Sequence, residues 1–366
     1  MKVVHVTPTY FDNSSYIGGG ERYPTELASW MSRTVETTLV SFSSKRQSYY
    51  HGSLKIETYP VSFFLQNNYI NAFNPFCLTA IAKADIVHIH VVNALASVLS
   101  TLTAQLLGKR IFVTDYGGGS GLGYLLNQKL PTLSCYRRAI AYSSFGLNAL
   151  PISLQQKAVL IKGGIDTEKF APSPEVLKKK TILFVGRILS HKGINYLIEA
   201  FRFLNAPDYK LKILGKPYNE KFLQELKQLA GDLSVEFIHD ADDQQLLQEY
   251  RQAAVTVLPS VHTDCYGNYS PVPELMGFTL LESQACGTPV ICTDAGAMHE
   301  FIEDGKTGFV VSQNSGEVIA TALSQILDLS PEERSAIQQR CREWVHSLSW
   351  PVVVQQHLEL YQRSLK

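Results

Sequence analysis

A pattern that runs twice constrains this 366-residue chain most: short apolar strands separated by amphipathic helices. In the first half the strands read Val3–Thr7, Glu36–Ser41, Ile56–Tyr59, Ile86–Val91, Ile111–Asp115, Ala139–Tyr142 and Ala158–Ile161, with helical patterns such as Gly20–Arg33 and Ala94–Leu107 between them. The pattern restarts at Thr181–Gly186 and continues through Leu211–Leu214, Val235–Ile238, Val255–Leu258, Val290–Cys292 and Gly308–Val311. Helices at Ile194–Leu204, Glu220–Ala230 and Gln244–Ala253 separate these. Alternation of this kind gives parallel sheets covered by helices, so the fold class expected is α/β with two consecutive units. The boundary falls in Gly163–Lys180, whose Lys178-Lys179-Lys180 run reads as a solvated linker. An amphipathic helix, Trp350–Leu365, with Pro351 in its first turn, follows the second sheet and is expected to dock back on the first unit. The expected domains are 1–165, 166–348 and a closing helix, 349–366. Open parallel sheets bind ligands outside the carboxyl ends of their strands, so two such edges facing each other would form one central cleft.

With 45% hydrophobic and 18% charged residues, the chain suits two globular cores, and no apolar run approaches a membrane span of roughly 20 residues. The apolar run at Met1–Pro8 is too short for a secretory signal. Cysteines 77, 135, 265, 286, 292 and 341 form no CxxC pair and read as small buried hydrophobes of a reducing compartment, so a cytoplasmic location is expected. Residues 1–160 hold 13 Lys/Arg against 7 Asp/Glu, and the remainder 20 against 26. That imbalance either attracts an anionic partner or membrane surface to the first half or makes the two halves complementary. No nucleic-acid partner is expected.

The chemistry-bearing residues cluster at strand ends. Glu274 precedes a helix start and Glu282 lies one turn inside that helix, within Pro273–Glu282. Free N–H groups at a helix start favour anions such as phosphate, and carboxylates beside them suit hydroxyl-rich partners. Thr279-x-x-Glu282 also fits a capping box, which would give Glu282 a local role. Arg187 and Lys192 flank the loop after the strand at Thr181–Gly186 and could neutralise a pyrophosphate, or form surface ion pairs. Asn13–Arg22 follows the first strand and contains Gly18, Gly19 and Gly20, which let backbone approach a ligand closely, or form a surface loop. His88 and His90 share one side of their strand, His90 nearer its carboxyl end, and no further ligand has the spacing of a zinc site. Thr114–Gly123 is glycine-rich but fits no dinucleotide fingerprint. Asp240–Asp243 reads as acids complementing a helix N-terminus.

Together these residues resemble the retaining glycosyltransferases of family 4, the group 1 glycosyltransferases, whose GT-B architecture has two Rossmann-like domains. The resemblance rests on the N-terminal glycine loop, His88-x-His90, Gly163-Gly164-Ile165-Asp166 with Phe170 and Pro172, and Gly186-Arg187…Lys192-Gly193. Pro259-Ser260, the Glu274/Glu282 pair and Ala285–Val290 complete it. It implies that Arg187 and Lys192 bind the donor diphosphate and that Glu274 lies near the donor sugar. Gly277, Phe278 and Thr279 would present N–H groups to the donor, and Glu282 would hold the ribose. Gly19 and Gly20 would lie under the diphosphate, with His90 reaching the transferred sugar. No metal or other cofactor is expected. This chain departs from the family in having Asp115-Tyr116 where a histidine is usual, Gly163-Gly164 for Asn-Gly, and a longer Val261–Pro273 segment whose Tyr266 and Tyr269 could shape the sugar pocket.

The activity expected is therefore transfer of a hexose, with retention, from a UDP- or GDP-sugar to a glycan or lipid-linked acceptor. The aromatic segment Tyr59–Phe76, with Phe63, Phe64, Tyr69 and Phe73, could be a peripheral membrane lip or core packing. Rival readings are a nucleotide-sugar epimerase and a non-catalytic nucleotide-sugar-binding subunit. Arg187→Ala and Lys192→Ala are both expected to impair turnover with little effect on folding.

Overall fold

The computed structural model describes residues 1–10, 19–61, 64–65, 68–117 and 119–366. The expectations placed on Asn13–Gly18, Phe63 and Gly118 lie outside the described residues. The chain divides into unit 1, Met1–Gly164 with Trp350–Lys366, and unit 2, Ile165–Ser349.

In chain order, unit 1 contains β1 (Lys2–Tyr10), α1 (Gly19–Ser32), β2 (Glu36–Ser43), β3 (Gln47–His51), β4 (Leu54–Pro60), α2 (Leu78–Ala82) and β5 (Ile86–His90). It continues with α3 (Leu95–Leu106), β6 (Arg110–Thr114), α4 (Gly121–Lys129), α5 (Thr132–Cys135), β7 (Arg138–Ala141), α6 (Ser144–Ala149), α7 (Ile152–Gln155) and β8 (Ala158–Leu160). The sheet order is β3-β4-β2-β1-β5-β6-β7-β8, parallel except for the edge strand β3. All five residues of β3 are exposed. Its lack of a buried face hid it from the sequence pattern.

Unit 2 contains β9 (Thr181–Val185), α8 (Ile194–Leu204), β10 (Lys210–Leu214), α9 (Glu220–Ala230), β11 (Val235–Ile238), α10 (Asp243–Gln252) and β12 (Val255–Leu258). Then come α11 (Phe278–Ala285), β13 (Val290–Thr293), β14 (Gly308–Val311), α12 (Gly316–Leu327) and α13 (Pro331–His346). Its described strands are all parallel, in the order β11-β10-β9-β12-β13-β14. Central strands such as β12 are buried at every residue, as their unbroken apolar runs require. Helix α8 buries Ile194, Leu197, Ile198 and Phe201, an i, i+3, i+4, i+7 stripe that packs into the core with Ile182 and Ile213. Truncating Leu197 to Ala would cost about 2–5 kcal/mol.

The closing helix α14 (Trp350–Leu365) belongs to unit 1. Its first residue is fully buried, and Trp350 Nε1 donates to Glu26 Oε2 on α1 at 2.9 Å.

Two expectations need correction. Lys178 is not part of a solvated run: its ammonium donates to Thr288 Oγ1, and burial pushes its pKa down to about 8. Lys179 and Lys180 are exposed. Cys265 is also exposed and Cys135 half-buried, whereas the other four cysteines are buried. Of the aromatic segment, Tyr59 is fully buried and Phe64 and Phe73 pack against the core, while Tyr69 and Phe76 are exposed.

Candidate functional site

In unit 2 the chain builds β9, β10 and β11 outward in one direction, then returns to place β12, β13 and β14 on the other side of β9. The loops leaving β9 and β12 therefore diverge at a topological switch point, the usual ligand crevice of such sheets. The β9 loop carries Arg187 and Lys192, and the β12 loop carries Ser260 and Glu274. Gly193 lets the two loops touch: its φ is 65°, and a Cβ there would lie 2.0 Å from Pro259 O.

Lys192 and Glu274 form a direct ion pair, their side chains 8% and 16% exposed. Ser260 Oγ donates to the same carboxylate oxygen at 3.3 Å. The Glu274 carbonyl accepts from Ala297 N at 3.0 Å, which holds its backbone. Breaking so buried a pair leaves an uncompensated charge. Lys192→Ala should therefore cost stability as well as turnover, which corrects the expectation of little effect on folding. Arg187 is exposed, its guanidinium carbon 5.8 Å from the centroid of the Tyr218 ring, so its charge faces solvent beside the buried pair's loop. The intervening His191 was not singled out from sequence. Burial, then the Lys192 and Arg187 charges, push its pKa down to about 4, so it is neutral at pH 7.

The helix after Glu274 starts at Gly277, the N-cap, with φ 80° and no side-chain cap. The capping-box reading of Thr279 and Glu282 fails: Thr279 Oγ1 donates to Val185 O at 3.1 Å, tying α11 to β9. Glu282 is 4% exposed and accepts from Tyr250 Oη of α10 at 2.7 Å. Gly277, Phe278 and Thr279 thus follow Glu274 at the switch point, while Glu282 lies beneath them in the core. Asp242 caps α10 by accepting from Gln245 N at 2.7 Å, in keeping with the helix-start reading of that acidic run.

Asp264 organises the long segment before Glu274. It accepts from Ser190 Oγ at 2.6 Å, Tyr266 N at 2.9 Å, and Asn268 N and Nδ2 at 2.8 and 3.1 Å. Burial raises its pKa, but these bonds outweigh that and hold it below the usual carboxylate range. Asp264 therefore joins the β12 segment to the β9 loop. Tyr266 packs against Phe222 and bonds Glu225, both on α9, and Tyr269 stacks on His262.

In unit 1 the order reversal lies between β1 and β5. Parallel register sets His5 opposite His88, and His5, His88 and His90 are all fully buried. Their nitrogens lie within 4.8 Å of one another, a spacing open to a metal ion, but each ring nitrogen already has a partner. Met31 fixes the direction of one chain. Its Sδ can only accept, so His5 Nε2 donates to it at 3.4 Å. His5 Nδ1 then accepts from His90 Nε2 at 2.9 Å, and His90 Nδ1 accepts from Tyr116 Oη at 2.6 Å. His88 pairs with Tyr361 Oη at 2.5 Å and Thr114 Oγ1 at 2.8 Å. Burial, then neighbouring histidine charge, pushes His5 down to about 3 and holds His88 and His90 well below the usual range. His90 is thus a sealed neutral group, and its hydrogen-bond chain ends on the half-buried Tyr116. Gly19 and Gly20 begin α1.

Residues 165–344 match the family described as glycosyl transferases group 1. A D-inositol 3-phosphate glycosyltransferase of Corynebacterium urealyticum is 30% identical over 235 residues, 58% of this chain and 52% of that protein. A phosphatidyl-myo-inositol mannosyltransferase of Mycolicibacterium smegmatis is 30% identical over 219 residues, 57% of this chain and 53% of that protein. The chain spans about half the length of these curated relatives. A glycosyltransferase structure from Rickettsia africae matches with a TM-score of 0.74 at 20% identity, covering 100% of this chain and 98% of that one. Anabaena HepE in complex with UDP and glucose matches with a TM-score of 0.72 at 15% identity, covering 99% and 100%. These structural likenesses concern the fold alone. No helix among the described residues is long and apolar enough to cross a membrane.

Proposed function

Because residues 165–344 belong to the group 1 glycosyl transferases and the chain has the GT-B fold, we propose that it transfers a hexose, with retention and without a required metal, from a nucleotide diphosphate sugar to an acceptor hydroxyl. The observation that carries this reading is the buried Lys192–Glu274 pair at the switch point, with the exposed charge of Arg187 on the same loop. Arg187 meets the donor diphosphate from solvent. Lys192, held in place by Glu274, stabilises negative charge as the phosphate departs. Glu274 has a second oxygen to offer the sugar hydroxyls, and Gly277, Phe278 and Thr279 lie where N–H groups meet the donor. Glu282 acts from below, through Tyr250, or turns to the ribose on binding. Glu274, the carboxylate at this loop, is held by Lys192 and Ser260 rather than poised as a nucleophile, so the departing phosphate takes the acceptor proton on the same face. The protein's main contribution is then electrostatic, and removing one such group costs about 100-fold in rate.

In unit 1, Tyr116 is the group nearest the surface on the histidine chain, and we assign it the acceptor side, with His90 supporting it. One structural relative was solved with UDP, and another relative is named as GDP-mannose-dependent, which supports a UDP- or GDP-sugar donor. The relatives' names include inositol phosphate and phosphatidylinositol acceptors, which supports a glycan or lipid-linked acceptor reached at a membrane surface. Rates of sugar release from UDP- and GDP-sugars over an acceptor panel test this, with product configuration read by NMR and a chelator control. Inverted product or loss of rate in chelator removes the corresponding part. Acceptor-free interconversion of the donor sugar would replace the reading with epimerase activity.

A further inference from the structure

The positive charge of residues 1–160 is concentrated. Five of their 13 cations, Lys109, Arg110, Arg137, Arg138 and Lys157, line one pocket of about 510 Å³, and no carboxylate lines it. The pocket lies at the amino ends of β6, β7 and β8, the opposite end of the unit 1 sheet from His90 and Tyr116.

Cations near helix ends ordinarily cap carbonyls, and part of this cluster does so. Lys109 Nζ donates to Ala82 O at 2.9 Å, at the end of α2, and Arg110 Nε donates to Ser364 O at 2.9 Å, in the last turn of α14. Lys157 Nζ donates to Leu133 O, Ser134 O and Tyr136 O at 3.3, 3.0 and 3.2 Å, which uses all its donors. Arg138 Nη1 donates to Arg137 O at 3.0 Å. The two Nη groups of Arg110, Nη2 and Nε of Arg138, and the whole Arg137 guanidinium have no acceptor among the described residues.

Carbonyl caps carry no net charge, so they leave the five cations uncompensated. Among the described residues no ion pair reaches any of them. Five acids of residues 1–160 are engaged elsewhere: Glu26 with Arg22, Glu36 with Lys2, Glu57 with Lys55, and Asp85 and Asp115 with the backbone N–H groups of Lys2 and Val92. Like charges crowded in this way oppose the compact state, and a bound anion removes that opposition. Three arginine forks favour phosphate, which they grip with paired bonds. The volume lies in the roughly 300–1,000 Å³ range of small-molecule pockets.

We propose that this pocket binds a phosphate group, carried by a soluble phosphate ester or by a lipid headgroup, at a site separate from the Arg187–Lys192 loop.

Calorimetric titration of the full chain with inorganic pyrophosphate tests the proposal. Wild type should bind in two classes. Arg137→Ala/Arg138→Ala should weaken one class about tenfold or more, as loss of charge-assisted bonds implies, and Arg187→Ala should weaken only the other. Unliganded Arg137→Ala/Arg138→Ala should melt at or above the wild-type temperature, because repulsion is relieved. Wild-type pyrophosphate binding in that double variant would overturn the proposal. So would a clearly lower melting temperature, since it would show that the arginines serve the fold. Sedimentation with phosphatidylcholine vesicles, with and without phosphatidic acid, distinguishes the sources. Binding that needs phosphatidic acid and is lost in the double variant assigns a headgroup, whereas pyrophosphate binding without sedimentation assigns a soluble ester.

Discussion

In unit 1 the first strand, β1, and its neighbour across the order reversal, β5, bring His5, His88 and His90 into a buried, neutral, hydrogen-bonded chain. In unit 2 the loops after the first strand, β9, and its neighbour across the reversal, β12, bring Lys192 and Glu274 into a buried ion pair. One topology thus carries two opposite solutions at the same position. The neutral chain avoids burying charge but depends on every ring staying unprotonated. The ion pair compensates each buried charge with its partner but depends on both partners being present. Similar scaffolding therefore says little about chemistry, and the side chains at the switch point decide it.

Acid should separate the two units most strongly. His5 at about 3 and His357 at about 4 have folded pKa values below the ordinary 6.5, and His88 and His90 are also well below it. The unfolded chain then binds more protons below pH 6.5. Stability is fully present above that pH and is lost as pH falls toward the folded values, by up to about 1.4 kcal/mol per pH unit for each histidine. Unit 2 has one comparable group, His191. Calorimetry at pH 5 should show unit 1 melting first, and coincident transitions of unchanged midpoint would break the contrast.

Lys192→Ala should cost about 3 kcal/mol of unit 2 stability, because it strands Glu274, and should lower turnover about 100-fold or more. Arg187→Ala should match that loss of turnover with an unchanged melting temperature, since Arg187 is exposed. Equal stability losses in the two variants would remove the distinction between a buried, positioned cation and a free one. The smallest effect belongs to His357→Leu. His357 Nε2 is buried without a partner among the described residues, so the substitution should change stability at pH 7 by no more than about 1 kcal/mol while lowering the acid slope of unit 1. An unchanged slope would show that His357 does not titrate as argued.

Much of the scaffold was legible in the residues. The bounds of α8, α9 and α14 coincide with their apolar periodicity because one stripe of each faces a core. Strand β3 was not legible, because an exposed antiparallel edge strand carries no apolar pattern. Helix α13 was legible but overlooked: Ser330-Pro331-Glu332-Glu333 forms the capping box that Thr279 and Glu282 do not. At the site, Lys192 and Glu274 stood out as charges at strand ends, but their direct pairing across 82 positions followed only from the β9–β12 adjacency. His5 was missed for the same reason, since its partners lie 83 and 85 residues away and only the β1–β5 register brings them together.

The central claim is that the unit 2 switch point holds a nucleotide diphosphate through its cations. Thermal shift with UDP and GDP, in wild type and in Arg187→Ala, tests it most directly. At least one nucleotide should raise the wild-type melting temperature by linkage, and Arg187→Ala should lose most of that shift. An unmoved wild-type melting temperature with both nucleotides, or an equal shift in Arg187→Ala, would contradict it.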